Sequence, residues 1–91
     1  MMYPPRWGPT LWNTLHILSI NCNPSLNPTA PQLFHDTVQN IIFSLPCPSC
    51  SSHAKQYLEH HPIQIKSQHD AIQWINDFHN HVNKKLGKRT Y

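Results

Sequence analysis

Two prolines bracket a cysteine in Leu45-Pro46-Cys47-Pro48-Ser49-Cys50-Ser51-Ser52-His53, and no other stretch restricts the fold so tightly. Proline lacks an N–H and clashes with the preceding turn, so Pro46 ends any helix that reaches it. At the first position of a helix the missing N–H costs nothing, so Pro48 can open the next one. The Cys-x-x-Cys pair is therefore predicted at a helix–helix junction, with the N-terminal dipole of the second helix aimed at both sulfurs. A thiolate gains from that field, which suits thiol–disulfide exchange. The same residues with His53 also suit half of a zinc site, and the bland alternative is a pair of buried reduced thiols.

Outward from that junction the chain reads as helices. Leu11, Leu15 and Leu18 recur at helical spacing, with Trp12, His16 and Ser19 on the neighbouring stripe. They predict a first helix over about 8–21, with Pro9 in its opening turn. Asn23-Pro24-Ser25-Leu26-Asn27-Pro28 is a loop rich in turn formers. Thr29 is placed to cap a second helix with Pro31 just inside it. Its apolar face is Leu33, Phe34, Val38, Ile41, Ile42 and Leu45, and it runs to about residue 44. The third helix runs from Pro48 through about residue 60 and buries Ala54, Tyr57 and Leu58 before His61-Pro62 closes it. Ser67 and Asp70 read as a capping-box variant heading a long fourth helix. Ala71, Ile75, Phe78, Val82 and Leu86 line one face of it, and Gly87 sits at the C′ position. Ile63-Gln64-Ile65 alternates but is too short to build a sheet. The predicted fold class is all-α: a four-helix bundle with short loops, one domain over residues 1–91.

A chain of 91 residues buries a thin core and leans on a disulfide, metal, cofactor or partner subunit for stability. With an apolar fraction of 38% and no apolar run near the roughly 20 residues of a spanning helix, no membrane span is expected. Met1-Met2-Tyr3-Pro4-Pro5-Arg6 shows no charged leader followed by an apolar stretch, which favours the cytosol. The cysteine count of 3 is odd, which fits an intracellular redox protein better than a secreted disulfide scaffold. The net charge is +3, and the basic residues gather in Lys84-Lys85-Leu86-Gly87-Lys88-Arg89. Such a tail is a solvated helix end or, more sharply, a phosphate contact. Basic residues elsewhere are too few for a nucleic-acid surface.

The zinc reading needs two further ligands, and no second cysteine pair exists to supply them. Trp7, Trp12 and Trp74 in so small a domain read first as core, and His16 as a hydrogen-bonded helix histidine. Asn76, Asn80 and Asn83 fall in one predicted helix although Asn is a poor mid-helix residue. With His79 they form either a solvated face or a polar stripe against a large ligand. A flat aromatic cofactor would want indole faces, His and Asn donors and a cation for its phosphates, and all of these flank the dithiol.

These residues carry a resemblance. Trp7-Gly8-Pro9-Thr10-Leu11-Trp12-Asn13-Thr14-Leu15-His16 is similar to the W-G-x-x-x-W-x-x-x-H opening of the Erv/ALR family of FAD-linked sulfhydryl oxidases. The Cys47-Pro48-Ser49-Cys50 motif followed by His53 resembles that family's redox motif. His79-Asn80-His81-Val82-Asn83-Lys84-Lys85-Leu86-Gly87-Lys88 resembles its H-N-x-V-N-x-(K/R)-L-G-K segment. The brevity and the single Cys-x-x-Cys look most like the minimal members encoded by large DNA viruses. The resemblance implies a thiol oxidase with a four-helix bundle around FAD, usually with a short fifth helix and usually a homodimer. It implies Trp12 and His16 against the flavin nucleotide, and Gly8 and Thr10 near the start of that helix. His53, His79, Asn80 and Asn83 would also contact FAD, Trp74 would pack nearby, and Lys85 and Lys88 would lie near the phosphates or adenine.

The implied chemistry takes thiols from a protein substrate or redox carrier and gives electrons to dioxygen, forming hydrogen peroxide. Cys47 would face the incoming thiol. Cys50 would face the flavin, leaving as a thiolate steadied by the helix N-terminus. The viral likeness implies the cytoplasm of an infected cell, and the virion as a second place. The chain also departs from the family. It has no shuttle Cys-x-x-Cys in a tail, no cysteine from Tyr57 to Trp74 for the structural disulfide of cellular members, and stops at Tyr91 where relatives continue into the fifth helix. The adenine side is then expected to have fewer contacts or help from a second subunit. Cys22 is expected to be an inert thiol at the end of the first helix, with an intermolecular disulfide as the alternative. A zinc-stabilised Cys/His module and a flavin-free dithiol carrier stand as the alternatives.

Overall fold

A computed structural model describes residues 7–85 and 87 of the chain. It consists of α1 (Gly8–Ile20), α2 (Ala30–Phe43), α3 (Pro48–His60) and α4 (Gln68–Lys85). No strand occurs among the described residues. Leu86 and Lys88, along with the chain beyond them, lie outside the described residues, as does the question of a fifth helix. Every helix starts and stops within a residue or so of where proline, cap and periodicity place it.

The helices pair as α1 with α4 and α2 with α3, and α1 also touches α2. Leu15, Val38, Ile42, Ala71 and Ile75 are at most 1% exposed and form the centre, with Phe34, Phe78 and Tyr57 around them. Burial of these side chains is the main favourable term, each worth about 1.5–3 kcal/mol for the larger aliphatics. One expected core residue is not there: Leu33 is 57% exposed. Phe34, Val38 and Ile42 define the buried stripe at four-residue spacing, and Leu33 stands roughly 100° off Phe34, beyond the stripe's edge.

The helix ends show which caps work. Thr29 does not cap α2 with its side chain. Its hydroxyl donates instead to Asn27 Oδ1 at 2.7 Å, and its N–H donates to the same oxygen at 3.1 Å. Asn27 thus folds the loop back on itself and takes the group the cap would have used. At α4 the cap forms: Asp70 N–H donates to Ser67 Oγ at 3.3 Å, and Lys66 N–H donates to Asp70 Oδ2 at 2.9 Å. The return bond lands one residue earlier than in a standard capping box. Gly87 has φ +72°, and its N–H donates to the Lys84 carbonyl at 3.1 Å, the C′ role expected of it.

Side chains then lock the pairs together. Buried Ser51 donates to the Ile42 carbonyl at 2.9 Å, fixing α3 to the end of α2. The Gln68 amide donates to the Ile20 carbonyl, fixing the start of α4 to the end of α1. Trp74 Nε1–H donates to the His61 carbonyl at 2.9 Å.

Candidate active site

The α2–α3 junction presents Cys47 as the N-cap of α3, with Pro48 at the first helical position. Cys47 has the extended backbone of a cap residue (φ -106°, ψ 110°), which turns its sulfur over the open end of the helix. Cys50 N–H donates to Cys47 Sγ at 3.2 Å. Ser49 Oγ lies 3.4 Å from the same sulfur. These contacts and the neighbouring Cys50 thiol hold Cys47 down at about 7, with the Cys50 side chain the largest influence. Burial does little to raise it: the residue is only 7% exposed, but it lies near the outside of the molecule. Cys50 goes the other way, pushed up to about 11 by burial first and by Cys47 second. Expected on Cys50, the steadying effect of the helix N-terminus falls on Cys47, because a cap side chain receives the free N–H groups and the residue three positions on supplies one.

Cys50 lines an apolar pocket of about 750 Å³, open mouth included. Its walls come from all four helices: Leu11 and Leu15 of α1, Ile41 and Ile42 of α2, Ala54 of α3, and Phe78 and Val82 of α4, with Leu45 from the junction. Trp7, Gly8 and Trp12 line it from the start of α1, and His53, His81 and Lys85 add polar groups. Of the residues singled out in the sequence, the structure thus brings Gly8, Trp12, Cys50, His53 and Lys85 to one cavity.

Beside the pocket, α1 and α4 meet through rings. Trp12 stacks on His79 with centroids 3.9 Å apart and planes 10° from parallel. His16 Nε2 and His79 Nδ1 are 3.0 Å apart, so one ring donates and the other accepts. A shared hydrogen bond of this kind needs the accepting imidazole neutral, so the two rings do not both carry a proton on each nitrogen. Burial, then the neighbouring His16, pushes His79 down to about 4, and burial lowers His16 as well. Asn83 is buried one turn further along α4 and Asn80 is partly buried.

Thr10 and Trp74 are not brought to the pocket. Thr10 is exposed and its carbonyl accepts from Thr14 Oγ1 at 2.9 Å. Trp74 packs on Tyr57 and on Phe78, and Phe78 itself lines the pocket. The pocket also has residues that pattern reading assigned to the core or passed over. Leu11, Ile41 and Val82 are wall and core at once, which helical periodicity cannot separate. His81 sits between the two asparagine motif positions and had no signal of its own. Burial lowers it, followed by Lys85, His61, His53 and Lys84 nearby.

Among the described residues no three His, Cys, Asp or Glu side chains gather where they could hold one metal ion, so Cys47, Cys50 and His53 do not complete a zinc site. Cys22 is 3% exposed in the core beyond α1, and burial raises its thiol.

The model of the Erv1/Alr family matches residues 9–91 of the chain. The chain belongs to this family. Its Erv1/Alr relatives include viral proteins. The FAD-linked sulfhydryl oxidase of African swine fever virus is 36% identical over 84 residues, 92% of this chain and 71% of its own. A protein of invertebrate iridescent virus 3 is 32% identical over 87 residues, 93% of this chain and 59% of its own. Among solved structures, the FAD-binding domain of Erv1 from Saccharomyces cerevisiae superposes with a TM-score of 0.87 at 22% identity. The match covers 100% of this chain and 87% of that one. At that identity the likeness speaks for the fold, and it is the four-helix fold described above.

Proposed function

We propose that this chain is a FAD-linked thiol oxidase that forms disulfide bonds in protein substrates. The observation that carries the reading is Cys50 in the wall of an apolar pocket, with Cys47 outside it at the capped end of α3. A flavin ring is flat and largely apolar, and the apolar lining of this open pocket suits it. Trp12, Gly8, His53 and Lys85 would hold FAD from the pocket itself. His16, His79, Asn80 and Asn83 would hold it from the adjoining α1–α4 seam, and Lys88 from beyond the described residues. When bound, FAD takes two electrons from a dithiol and passes them to dioxygen, giving hydrogen peroxide.

The chain's own chemistry is disulfide exchange. A substrate thiolate attacks Cys47 Sγ of the Cys47–Cys50 disulfide; a substrate–Cys47 bond forms and Cys50 takes the electron pair. A second substrate thiolate attacks the substrate sulfur of that mixed disulfide. The substrate disulfide departs and Cys47 leaves as a thiolate. Leaving groups of low pKa depart faster, and Cys47 held at about 7 suits this step. Cys50 does not carry Cys47's charge against it while Cys47 is in the mixed disulfide, which removes one of the causes that raise it.

The residues 1–91 act as one domain, and its partners are a thiol-bearing protein or redox carrier and dioxygen. No helix among the described residues is long and apolar enough to cross a membrane. A homodimer and the cytoplasm of an infected cell as place of work are further parts of the proposal, supported by family membership and by the viral relatives. Purified protein carries a bound-flavin absorbance spectrum and consumes oxygen with a dithiol substrate. Colourless protein that takes up no FAD on reconstitution would overturn the reading.

A further inference from the structure

Beside the redox junction stands an exposed aromatic ring that takes no part in the pocket. Phe43 ends α2 and is 54% exposed. The other large apolar side chains more than half exposed among the described residues are Ile17, Ile20, Leu26 and Leu33, in α1, the loop after it and the first turn of α2. A single exposed apolar side chain is ordinary on a protein surface. Phe43 differs in its neighbour: Lys55 Nζ lies 4.7 Å from the centre of its ring, where the ring face attracts a cation. Lys55 is tied in turn to the redox motif. Cys47, Ser51 and Lys55 are spaced four residues apart and form one stripe of α3. Ser51 donates to the Ile42 carbonyl at 2.9 Å, which draws the end of α2 against that stripe. Lys55 then stands about 12 Å from Cys47 along the helix axis. Between Asp36 and Glu59 it is the only Lys, Arg, Asp or Glu. Cys50 lines the pocket, so a sulfur attacking Cys47 along the line of the Cys47–Cys50 bond arrives from outside. The protein that carries that sulfur covers the surface next to Cys47.

We propose that Phe43 and Lys55 are the docking surface for the protein substrate, and that they select a segment with an apolar side chain and a carboxylate about 12 Å from its reacting cysteine. The inference rests on the reading of Cys47 as the sulfur that substrate thiols meet. The apolar side chain packs on the Phe43 ring, and the carboxylate pairs with Lys55. The distance corresponds to about four residues of extended chain. A second copy of the chain seated there would shut Cys47 off from thiols, so the occupant is the substrate.

The test measures how fast Cys47 is captured. The full-length flavoprotein carries Cys22→Ser and Cys50→Ser, which leaves Cys47 as the only thiol. It reacts with a peptide whose single cysteine is a 2-pyridyl disulfide. A Cys47–peptide sulfur bond forms and the peptide–pyridyl sulfur bond breaks. Pyridine-2-thione leaves with the electron pair and is read by absorbance. The probe peptide has Leu and Asp at the third and fourth positions on each side of its cysteine; one control has Ser for Leu and another has Lys for Asp. Each rate is divided by that of the 2-pyridyl disulfide of mercaptoethanol, which is too small to reach Lys55 from Cys47. The Leu–Asp peptide reacts about fivefold faster than either control. Phe43→Ala removes the advantage over the Ser control, and Phe43→Tyr, which keeps the ring, keeps it. Lys55→Glu reverses the order of the Asp and Lys peptides, and high salt shrinks that reversal. Equal relative rates for the three peptides overturn the proposal, and so does unaltered selectivity in Phe43→Ala or Lys55→Glu. Oxygen uptake by the wild-type protein with dithiothreitol is measured alongside. Its absence overturns the oxidase reading instead, while the capture rates still report on the docking surface.

Discussion

Two junctions flank the pocket, and each holds a titratable group below its ordinary value, for opposite reasons. At the α3 N-terminus, hydrogen-bond donors favour the charged form of Cys47 and bring it to about 7. At the α1–α4 seam, burial and the neighbouring His16 disfavour the charged form of His79 and bring it to about 4. The first junction is built to carry a charge beside the pocket, and the second to stay neutral. Side-chain donors account for most of the first, Cys50 before Ser49, and the backbone N–H of Cys50 at the open helix end adds to them. Burial among the packed rings of the seam, then the nearby His16, accounts for the second. Cys22 is the control for the thiol: buried past the C-terminal end of α1, it is raised by that burial.

The largest effect should come from removing the charged junction. Cys47→Ser and Cys50→Ser each lower dithiol-driven oxygen uptake by more than about a hundredfold, since exchange requires both sulfurs. Cys22→Ser keeps the uptake, measured with an oxygen electrode on protein that is still folded. If Cys22→Ser abolished uptake, the division between reactive and inert cysteines would fail. Next, iodoacetamide at pH 7 modifies Cys47 at least about fiftyfold faster than Cys22, from the thiolate fractions alone. Cys22 reacts only after unfolding in denaturant.

The neutral junction shows in acid. His79 in the folded chain takes its proton at lower pH than the unfolded chain, whose value is near 6.5. Its stabilising share is thus full above 6.5 and lost as pH falls through about 4. The melting temperature of the cofactor-free chain should fall over that window, and His79→Asn should flatten the fall by a few degrees. An identical slope in His79→Asn would leave the seam with no part in it. The smallest effects test the other helix starts: Ser67→Ala costs about 1 kcal/mol in denaturant unfolding, and Thr29→Ala less than about half that.

The elements were legible because their punctuation is local. Pro46 and Pro48 stop one helix and start another, Ser67 with Asp70 heads α4, and Gly87 ends it, all within a turn of the residues concerned. The candidate site was legible in part. Gly8, Trp12, Cys50, His53 and Lys85 were named from motifs and do share one cavity. Thr29 misled because Asn27, two residues before it, competes for its hydroxyl. Leu33 misled because membership of an apolar face depends on angles of which the one-letter pattern gives only an average. Trp74, expected to pack near the cofactor, packs on the pocket-lining Phe78 and donates its indole N–H to the His61 carbonyl.

What the sequence determined by itself is the set of helices and the identity of the redox pair. Both follow from residues that act on neighbours a turn away, through missing N–H groups, caps and spacing. The family likeness implied how the pair is divided, and only the tertiary structure gives the physical reason for that division. Cys47 and Cys50 differ little as letters, and both lie at the start of one helix. Their sulfurs part because the Cys50 thiol, the Ser49 hydroxyl and the Cys50 N–H all meet Cys47, while the packing of α1, α2 and α4 around Cys50 takes water away from it. Desolvation depends on what other segments bring to a side chain, and that is settled only when the helices meet.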